Sequence, residues 1–164
     1  MIKLVVLDVD GCLTDGSIIY SSDGAELKAF NVKDGLAIKS LQKLGVEVAI
    51  ITGRSSVALE KRAHELEISY LYQNEKKKLD RLQYIMQKMQ IQSSEVAAIG
   101  DDMNDLAMLR FCGFSATPSD GASYIKSQVD IVLNSAGGKG AVRELIEHIM
   151  EKDGLKQAFI DSWL

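Results

Sequence analysis

Residues 4–15 constrain the fold more than any other stretch of this 164-residue chain. They open with four consecutive apolar residues, Leu4–Leu7, a run typical of a strand buried inside a parallel sheet. Asp8 and Asp10 follow, and Gly11 ends the strand. Because side chains two positions apart in an extended chain point the same way, we expect both carboxylates at the carboxyl edge of the sheet. Open α/β sheets bind their ligands at that edge.

Two carboxylates that lie this close repel each other, and one takes up a proton unless a cation lies between them. A hard divalent cation with oxygen ligands, Mg²⁺ above all, is the expected partner. The same Asp-x-Asp-Gly pattern also occurs in strand-end turns whose acids are simply solvated. From residues 4–15 alone both interpretations stand, and the rest of the chain must decide between them.

Composition limits the class of protein. A hydrophobic content of 46% with a single proline excludes a disordered or collagen-like chain. A length of 164 residues without a linker segment predicts a single domain over residues 1–164. A net charge of −4 argues against a nucleic-acid partner, and two cysteines 100 positions apart do not form a zinc or disulfide framework. No apolar run approaches the ~20 residues of a membrane helix. No secretory signal pattern precedes the first strand. We therefore expect a cytoplasmic protein that binds neither nucleic acid nor membrane.

Predicted strands and helices alternate along the chain. Asp23-Gly24 between two β-prone runs predicts a hairpin flap over about residues 16–30. Further strands are predicted at 46–51, 68–72, 96–99, 113–116 and 131–133, and helices at 34–44, 56–66, 75–89, 104–110, 122–127 and 141–151, the first with Asp34 as its cap. This alternation predicts an α/β fold, a doubly wound parallel sheet with helices on both faces. A tail over about residues 153–164 follows.

Three predicted strands end in polar residues that parallel strands would bring to one edge: Asp8 with Asp10, Thr52, and Asp101 with Asp102. Together, segments 8–15 (DVDGCLTD), 52–54 (TGR), Lys78 and 100–105 (GDDMND) resemble the motifs of the haloacid dehalogenase (HAD) phosphohydrolases, in their order and context. Segments 31–35, 52–55, 72–74 and 137–144 are similar to the capless subgroup, which hydrolyses sugar-acid phosphates. The resemblance implies a HAD-like domain with a hairpin flap and no cap domain.

The resemblance also implies roles for the acidic residues. Asp8 would be the nucleophile that forms an aspartyl-phosphate, and Asp10 the general acid and base. Mg²⁺ would be held by Asp8, the main-chain carbonyl of Asp10, and Asp101. Asp102 and Asp105 would orient the waters of that ion or Lys78.

Phosphate binding is assigned, on the same resemblance, to Thr52 with the amide of Gly53 and to Lys78, whose charge offsets the phosphate dianion. Each has an ordinary alternative. Thr52-Gly53 also fits a turn before a helix, and Lys78 belongs to a run of three lysines that fits a solvated helix face. The loop over residues 137–140 is not a phosphate-binding Walker loop, and we expect its backbone to approach the substrate or a neighbouring subunit.

The predicted substrate-binding residues are Gly53, Arg54, Arg62, Lys33 and Asn31. Arg54 and Arg62 suit the carboxylate of a sugar acid, although Arg62 also fits an ordinary exposed helix position. Arg after Thr-Gly resembles the subgroup members that act on 3-deoxy-D-manno-octulosonate 8-phosphate (KDO-8-phosphate) in lipopolysaccharide precursor synthesis. Relatives that act on nine-carbon sialic-acid-type 9-phosphates tend to have Glu there, and they remain the alternative.

Two further classes of protein share parts of this pattern. A phosphorylatable receiver domain also places acidic residues, Thr and Lys at strand ends, but its acceptor Asp would stand where this chain has Thr52. An inactive HAD domain serving assembly has no support, because every motif residue is present.

The resembled subgroup forms homotetramers with joined hairpins and a neighbour's tail near the pocket. We therefore expect a homotetramer, with the apolar tail residues ordered by another chain or by the core: Phe159, Ile160, Trp163 and Leu164.

Overall fold

A parallel six-stranded sheet runs through the middle of the molecule in the computed structural model, which describes all 164 residues. The eight strands of the chain are β1 (Leu4–Leu7), β2 (Ile19–Tyr20), β3 (Glu26–Leu27), β4 (Glu47–Ile51), β5 (Tyr70–Tyr72), β6 (Val96–Ile99), β7 (Phe114–Thr117) and β8 (Ile131–Val132). Six of them pair in the order β5-β4-β1-β6-β7-β8, every pair parallel. The other two, β2 and β3, form a separate antiparallel hairpin.

Helices cover both faces of the sheet. They are α1 (Val32–Lys43), α2 (Val57–Glu65), α3 (Lys78–Met89), α4 (Leu106–Phe111), α5 (Ser123–Lys126), α6 (Ala141–Lys152) and α7 (Lys156–Asp161). Apolar side chains of α1, α2, α6 and α7 pack on one face, and those of α3, α4 and α5 pack on the other. The predicted α/β fold with a parallel sheet and no cap domain is confirmed. No helix in it is both long and apolar enough to cross a bilayer.

Strand β1 sets the position of the site because it pairs on both sides. Leu4–Leu7 is fully buried, with alternate side chains in the two cores. Leu7 is in register with Ile50 of β4 and with Ile99 of β6. The residues just beyond these three positions therefore emerge together at one edge of the sheet.

The start of α1 differs from the predicted one. Asn31, not Asp34, caps the helix, since its Oδ1 accepts a hydrogen bond from the amide of Lys33 at 2.8 Å. Asp34 is buried inside the first turn, where its Oδ1 accepts from the amide of Arg143 at 2.8 Å. The capping preferences of Asn31 and Asp34 did not show which of the two caps the helix, because Asp34 is engaged by α6, which is distant in the sequence.

Helix α3 begins at Lys78, three residues later than predicted. Residues 75–77 belong instead to the loop after β5. The amide of Glu75 donates to the carbonyl of Thr52 at 2.9 Å, and Lys77 has a non-helical backbone. This bond ties the loop to the end of β4 and places Lys78 at the carboxyl edge of the sheet.

The tail is ordered by the core of its own chain. It forms α7, which the sequence did not predict, and Phe159 is buried against the main core. The indole Nε1 of Trp163 donates to Ser40 Oγ at 2.5 Å, and Lys43 Nζ lies 3.7 Å from the centre of the indole ring. Ile160 and Trp163 keep about half of their surface exposed, and Leu164 is fully exposed.

Candidate active site

A cleft of about 170 Å³ opens at the carboxyl edge of the sheet. No apolar residue lines it. Its eight lining residues are Asp8, Asp10, Thr52, Gly53, Arg54, Asp101, Asp102 and Asn104. The first seven are predicted site residues, whereas Asn104 was not predicted. The three strand ends that the sequence singled out thus meet in one place.

Lys78 lies behind Asp8, out of the solvent. Its Nζ donates to Asp8 Oδ1 at 2.6 Å and to Asp105 Oδ1 at 2.5 Å, and the residue is only 3% exposed. Burial lowers the pKa of the Lys78 ammonium, but the two carboxylates outweigh burial and raise it. Lys78 is therefore a fixed cation buried beneath the cleft and does not line it, which excludes the solvated helix face as its environment.

Asp105 forms the support under this ion pair. Its Oδ2 accepts a hydrogen bond from the amide of Asp101 at 3.0 Å. Asp105 is fully buried, and a Cβ on Gly100 would lie 2.4 Å from the Cβ of Asp105. Glycine at position 100 is thus what lets Asp105 reach back to both Lys78 and the Asp101 backbone.

Asp8 and Asp101 are unusually weak acids in this cleft. Burial, followed by the charge of Asp105, raises the pKa of each to about 7. Lys78 opposes this rise at Asp8 without cancelling it. The side chain of Asp101 packs over Gly11, which has a φ of +99°, and a Cβ there would lie 2.0 Å from Asp101 Oδ2.

These charges fit a divalent cation. The ammonium of Lys78 faces three carboxylates, of Asp8, Asp101 and Asp105, which leaves two negative charges when all are ionised. Carboxylate oxygens of Asp8 and Asp101 lie within 4.8 Å of each other, and so does the Sγ of Cys12. A hard ion such as Mg²⁺ takes the oxygens. Burial and the charge of Asp8 hold the pKa of the Cys12 thiol well above its usual value, consistent with a packing role for Cys12.

The hairpin contributes residues that the sequence reasoning missed. Lys28 Nζ donates to Asp10 Oδ1 at 2.5 Å and to Glu26 Oε1 at 3.3 Å. Glu26 Oε1 also accepts from Arg54 Nη2 at 3.2 Å. Glu26 and Lys28 are two positions apart and share one face of an extended chain, a spacing that could have drawn attention to them.

Phosphate oxygens could be met by Thr52 and Gly53, which line the cleft at the end of β4. Thr52 is buried, and its amide donates to the carbonyl of Tyr72 on β5 at 3.0 Å. Helix α2 begins shortly after, with Ser56 as its cap, so Thr52-Gly53 is also the turn before a helix. The two interpretations of this segment are compatible.

Three predicted substrate-binding residues lie outside the cleft of their own chain. Asn31 caps α1 and also donates from Nδ2 to the carbonyl of Gly138 at 3.4 Å. Lys33 is exposed in the first turn of α1. Arg62 packs on the start of α1, where its Nη2 donates to the carbonyl of Asn31 at 3.4 Å. The binding roles of all three stay predictions.

The loop over residues 137–140 packs against the segment after Asp10. The amide of Gly138 donates to the carbonyl of Cys12 at 3.0 Å, and a Cβ on Gly137 would lie 1.9 Å from the carbonyl oxygen of Gly11. The backbone of this loop therefore braces the turn that carries Asp10, and its approach to a substrate or a neighbouring subunit stays a prediction.

Comparison with known proteins gives consistent results. The haloacid dehalogenase-like hydrolase family model matches residues 23–113, more than half of the chain. The 3-deoxy-D-manno-octulosonate 8-phosphate phosphatase KdsC of Haemophilus influenzae is 38% identical over 158 residues, which is 96% of this chain and 88% of that protein. KdsC of Escherichia coli K12 is 40% identical over 153 residues, 93% of this chain and 81% of that protein.

Solved structures agree with these relatives. The 3-deoxy-D-manno-octulosonate 8-phosphate phosphatase of Moraxella catarrhalis, in complex with a magnesium ion, a phosphate ion and KDO, superposes with a TM-score of 0.95 at 43% identity, over 99% of this chain and 94% of that one. The cobalt-bound deoxy-D-mannose-octulosonate 8-phosphate phosphatase (YrbI) of Haemophilus influenzae superposes with a TM-score of 0.93 at 36% identity, over 99% of this chain and 96% of that one. The family predicted from the four motifs is confirmed: the chain belongs to the haloacid dehalogenase-like hydrolases and, among them, to the family that contains the KdsC phosphatases.

Proposed function

We propose that the protein is a Mg²⁺-dependent phosphatase that hydrolyses KDO-8-phosphate to KDO and inorganic phosphate. The observation that carries this proposal is the cleft in which Asp8, backed by Lys78 and Asp105, faces Asp10, Asp101 and Thr52. The Moraxella relative, whose structure holds magnesium, phosphate and KDO, supports the substrate.

In the first step, a carboxylate oxygen of Asp8 attacks phosphorus and forms the aspartyl-phosphate. The bond from phosphorus to the sugar oxygen breaks, its electron pair stays on that oxygen, and the carboxyl group of Asp10 supplies the proton. In the second step, the Asp10 carboxylate takes a proton from a water molecule whose oxygen attacks the same phosphorus. The bond from phosphorus to the Asp8 oxygen breaks with its electron pair left on that oxygen, which regenerates the Asp8 carboxylate and releases inorganic phosphate.

Charge neutralisation and positioning supply most of the rate acceleration in phosphoryl transfer. Lys78 places a fixed positive charge beside Asp8, and Thr52 with the amide of Gly53 would hold phosphate oxygens. Mg²⁺, held by Asp8, the main-chain carbonyl of Asp10, and Asp101, would offset the negative charge of the phosphoryl group. Asp102 and Asp105 would orient the waters of that ion or Lys78.

Arg54 would select the sugar acid. Its guanidinium stands at the cleft, where it already pairs with a carboxylate, that of Glu26. A sugar-acid carboxylate suits the same donors, because guanidinium and carboxylate groups match in geometry. Neutral sugar phosphates would lack this contact.

A substrate screen tests the proposal. The value of kcat/KM should be greatest for KDO-8-phosphate, lower for a nine-carbon sialic-acid-type 9-phosphate, and lower still for sugar phosphates without a carboxylate. Activity should disappear after exhaustive chelation and return with Mg²⁺. A preference for a neutral sugar phosphate, or full activity without a divalent ion, would refute the proposal.

We also propose that the protein is a homotetramer joined through its hairpins. A two-stranded hairpin is marginally stable alone, and the apolar residues Ile18, Ile19, Tyr20 and Leu27 are each 47–63% exposed on this one. Phe30, by contrast, packs on the core of its own chain. Light scattering should report four chains per particle, and a monomer with full activity at nanomolar concentration would contradict the tetramer.

A further inference from the structure

The hairpin carries a lysine that the proposed reaction has not used. The Lys28 side chain is 2% exposed, although it belongs to a flap whose apolar residues face solvent. Burying an ammonium is costly unless carboxylates surround it. Lys28 meets this condition through two of them, Asp10 at 2.5 Å and Glu26 at 3.3 Å.

The contact with Asp10 is specific. Lys28 Nζ is the one donor that hydrogen-bonds to the Asp10 carboxylate, whereas Asp8 accepts its hydrogen bond from Lys78. The two carboxylates that follow β1 are therefore oriented by different lysines, one from the core and one from the flap. Without Lys28, the Asp10 side chain would be free to turn about its own bonds in the cleft.

We propose that Lys28 is a positioning residue that aims the Asp10 carboxyl group at the leaving oxygen of the substrate. The inference rests on the proposed phosphatase function, in which Asp10 protonates that oxygen. General acid catalysis requires hydrogen-bond reach, and a misplacement of about 1 Å can cost about 10²-fold in rate. Glu26 holds Lys28 from its other side and joins it to Arg54, so the flap aligns the acid and the predicted carboxylate-binding residue together.

The proposal predicts a dependence on the leaving group. p-Nitrophenyl phosphate releases a weakly basic phenolate that needs little protonation, phenyl phosphate a more basic one, and benzyl phosphate a strongly basic alkoxide. These three substrates are similar in size. The value of kcat/KM reports only the steps up to release of the alcohol or phenol, so the later hydrolysis of the aspartyl-phosphate does not affect it.

The experiment compares wild type, Lys28→Met, Lys28→Arg and Lys76→Met on these three esters with saturating Mg²⁺. Lys28→Met should lower kcat/KM about 30-fold for benzyl phosphate and less than about 3-fold for p-nitrophenyl phosphate, a part of the ~10²–10⁴-fold that acid catalysis supplies. Lys28→Arg keeps a cationic donor and should recover part of the loss. Lys76 is exposed and outside the cleft, so Lys76→Met should match wild type on all three esters.

Equal losses of kcat/KM on the three esters would show that Lys28 only holds the flap in place. Unchanged kcat/KM values would show that Lys28 neither positions Asp10 nor holds the flap. Either result overturns the proposal. Circular dichroism establishes that each variant is folded, and Lys28→Gln replaces Lys28→Met if the latter is not. A wild-type protein that hydrolyses neither the three esters nor KDO-8-phosphate refutes the phosphatase function itself, whereas an active wild type with insensitive Lys28 variants refutes this inference alone.

Discussion

Replacing Lys78 with methionine should destabilise the metal-free protein and abolish most of its activity. Methionine keeps an unbranched apolar stem, in a side chain one atom shorter than that of lysine, but removes two ion pairs, to Asp8 and Asp105. Both carboxylates are at least 94% buried, since their side chains are 6% and 0% exposed. Breaking a buried pair in this way costs about 3–5 kcal/mol, because it leaves an uncompensated charge behind.

The cost should increase with pH. The pKa of Asp8 is already raised to about 7, and the loss of Lys78 raises it further. Below that value Asp8 takes up a proton and relieves the charge, so the loss should be smaller at about pH 5.5 than at about pH 8. With a urea m-value of about 2 kcal/mol per M, the midpoint should fall by about 2 M at the higher pH.

Urea denaturation of chelated protein, followed by circular dichroism at both pH values, measures this difference. Lys76→Met is the matched control, because an exposed lysine two residues away should change stability by no more than about 0.5 kcal/mol. If Lys78→Met had the same midpoint as the control, or lost more stability at the lower pH, the electrostatic account of the ion pairs beneath the cleft would be wrong.

Three other predictions follow from the same geometry. Mg²⁺ should raise the melting temperature more at about pH 8 than at about pH 5.5 in differential scanning calorimetry, because Asp8 and Asp101, with pKa values raised to about 7, must lose protons to bind it; equal shifts would contradict this. Gly11→Ala should lower Mg²⁺ affinity at least ~10-fold in titration calorimetry, because the added Cβ displaces Asp101. Gly24 is the control, since it has a φ of +86° but open space around it. Gly24→Ala should cost a similar ~1–2 kcal/mol of backbone strain and leave Mg²⁺ affinity unchanged. Arg54→Ala should reduce kcat/KM for KDO-8-phosphate at least ~10-fold more than for p-nitrophenyl phosphate, which has no carboxylate, and equal losses would assign Arg54 to phosphate binding or to the flap.

The elements that carry the site were predictable because their signals are local. Apolar runs ending in Asp8, Thr52 and Asp101 predict parallel strands, and parallel strands bring their carboxyl ends to one edge. Where two nearby residues could each play the same role, the sequence alone did not show which of them does. Asn31 rather than Asp34 caps α1 because Asp34 is engaged by α6, which is distant in the chain.

The contribution of the hairpin was not predictable for a related reason. The alternation of side chains in an extended strand places Glu26 and Lys28 on one face of the hairpin. The neighbouring sequence does not indicate whether this face is exposed to solvent or lies against the cleft. The answer depends on how the hairpin folds back over the edge of the sheet, where Lys28 meets Asp10. Helix α7 escaped prediction because its order comes from packing of Phe159 and Trp163 on α1 and α6.

The central claim is that Asp8 is the nucleophile of a KDO-8-phosphate phosphatase. Asp8→Asn preserves the shape of the side chain and an oxygen that can accept from Lys78, but removes the nucleophilic carboxylate. The direct measurement is the kcat of this variant on KDO-8-phosphate with saturating Mg²⁺, beside wild type purified in parallel. We predict a loss of at least about 10⁴-fold, to background. A folded Asp8→Asn protein that retains a kcat within about 10-fold of wild type would contradict the account.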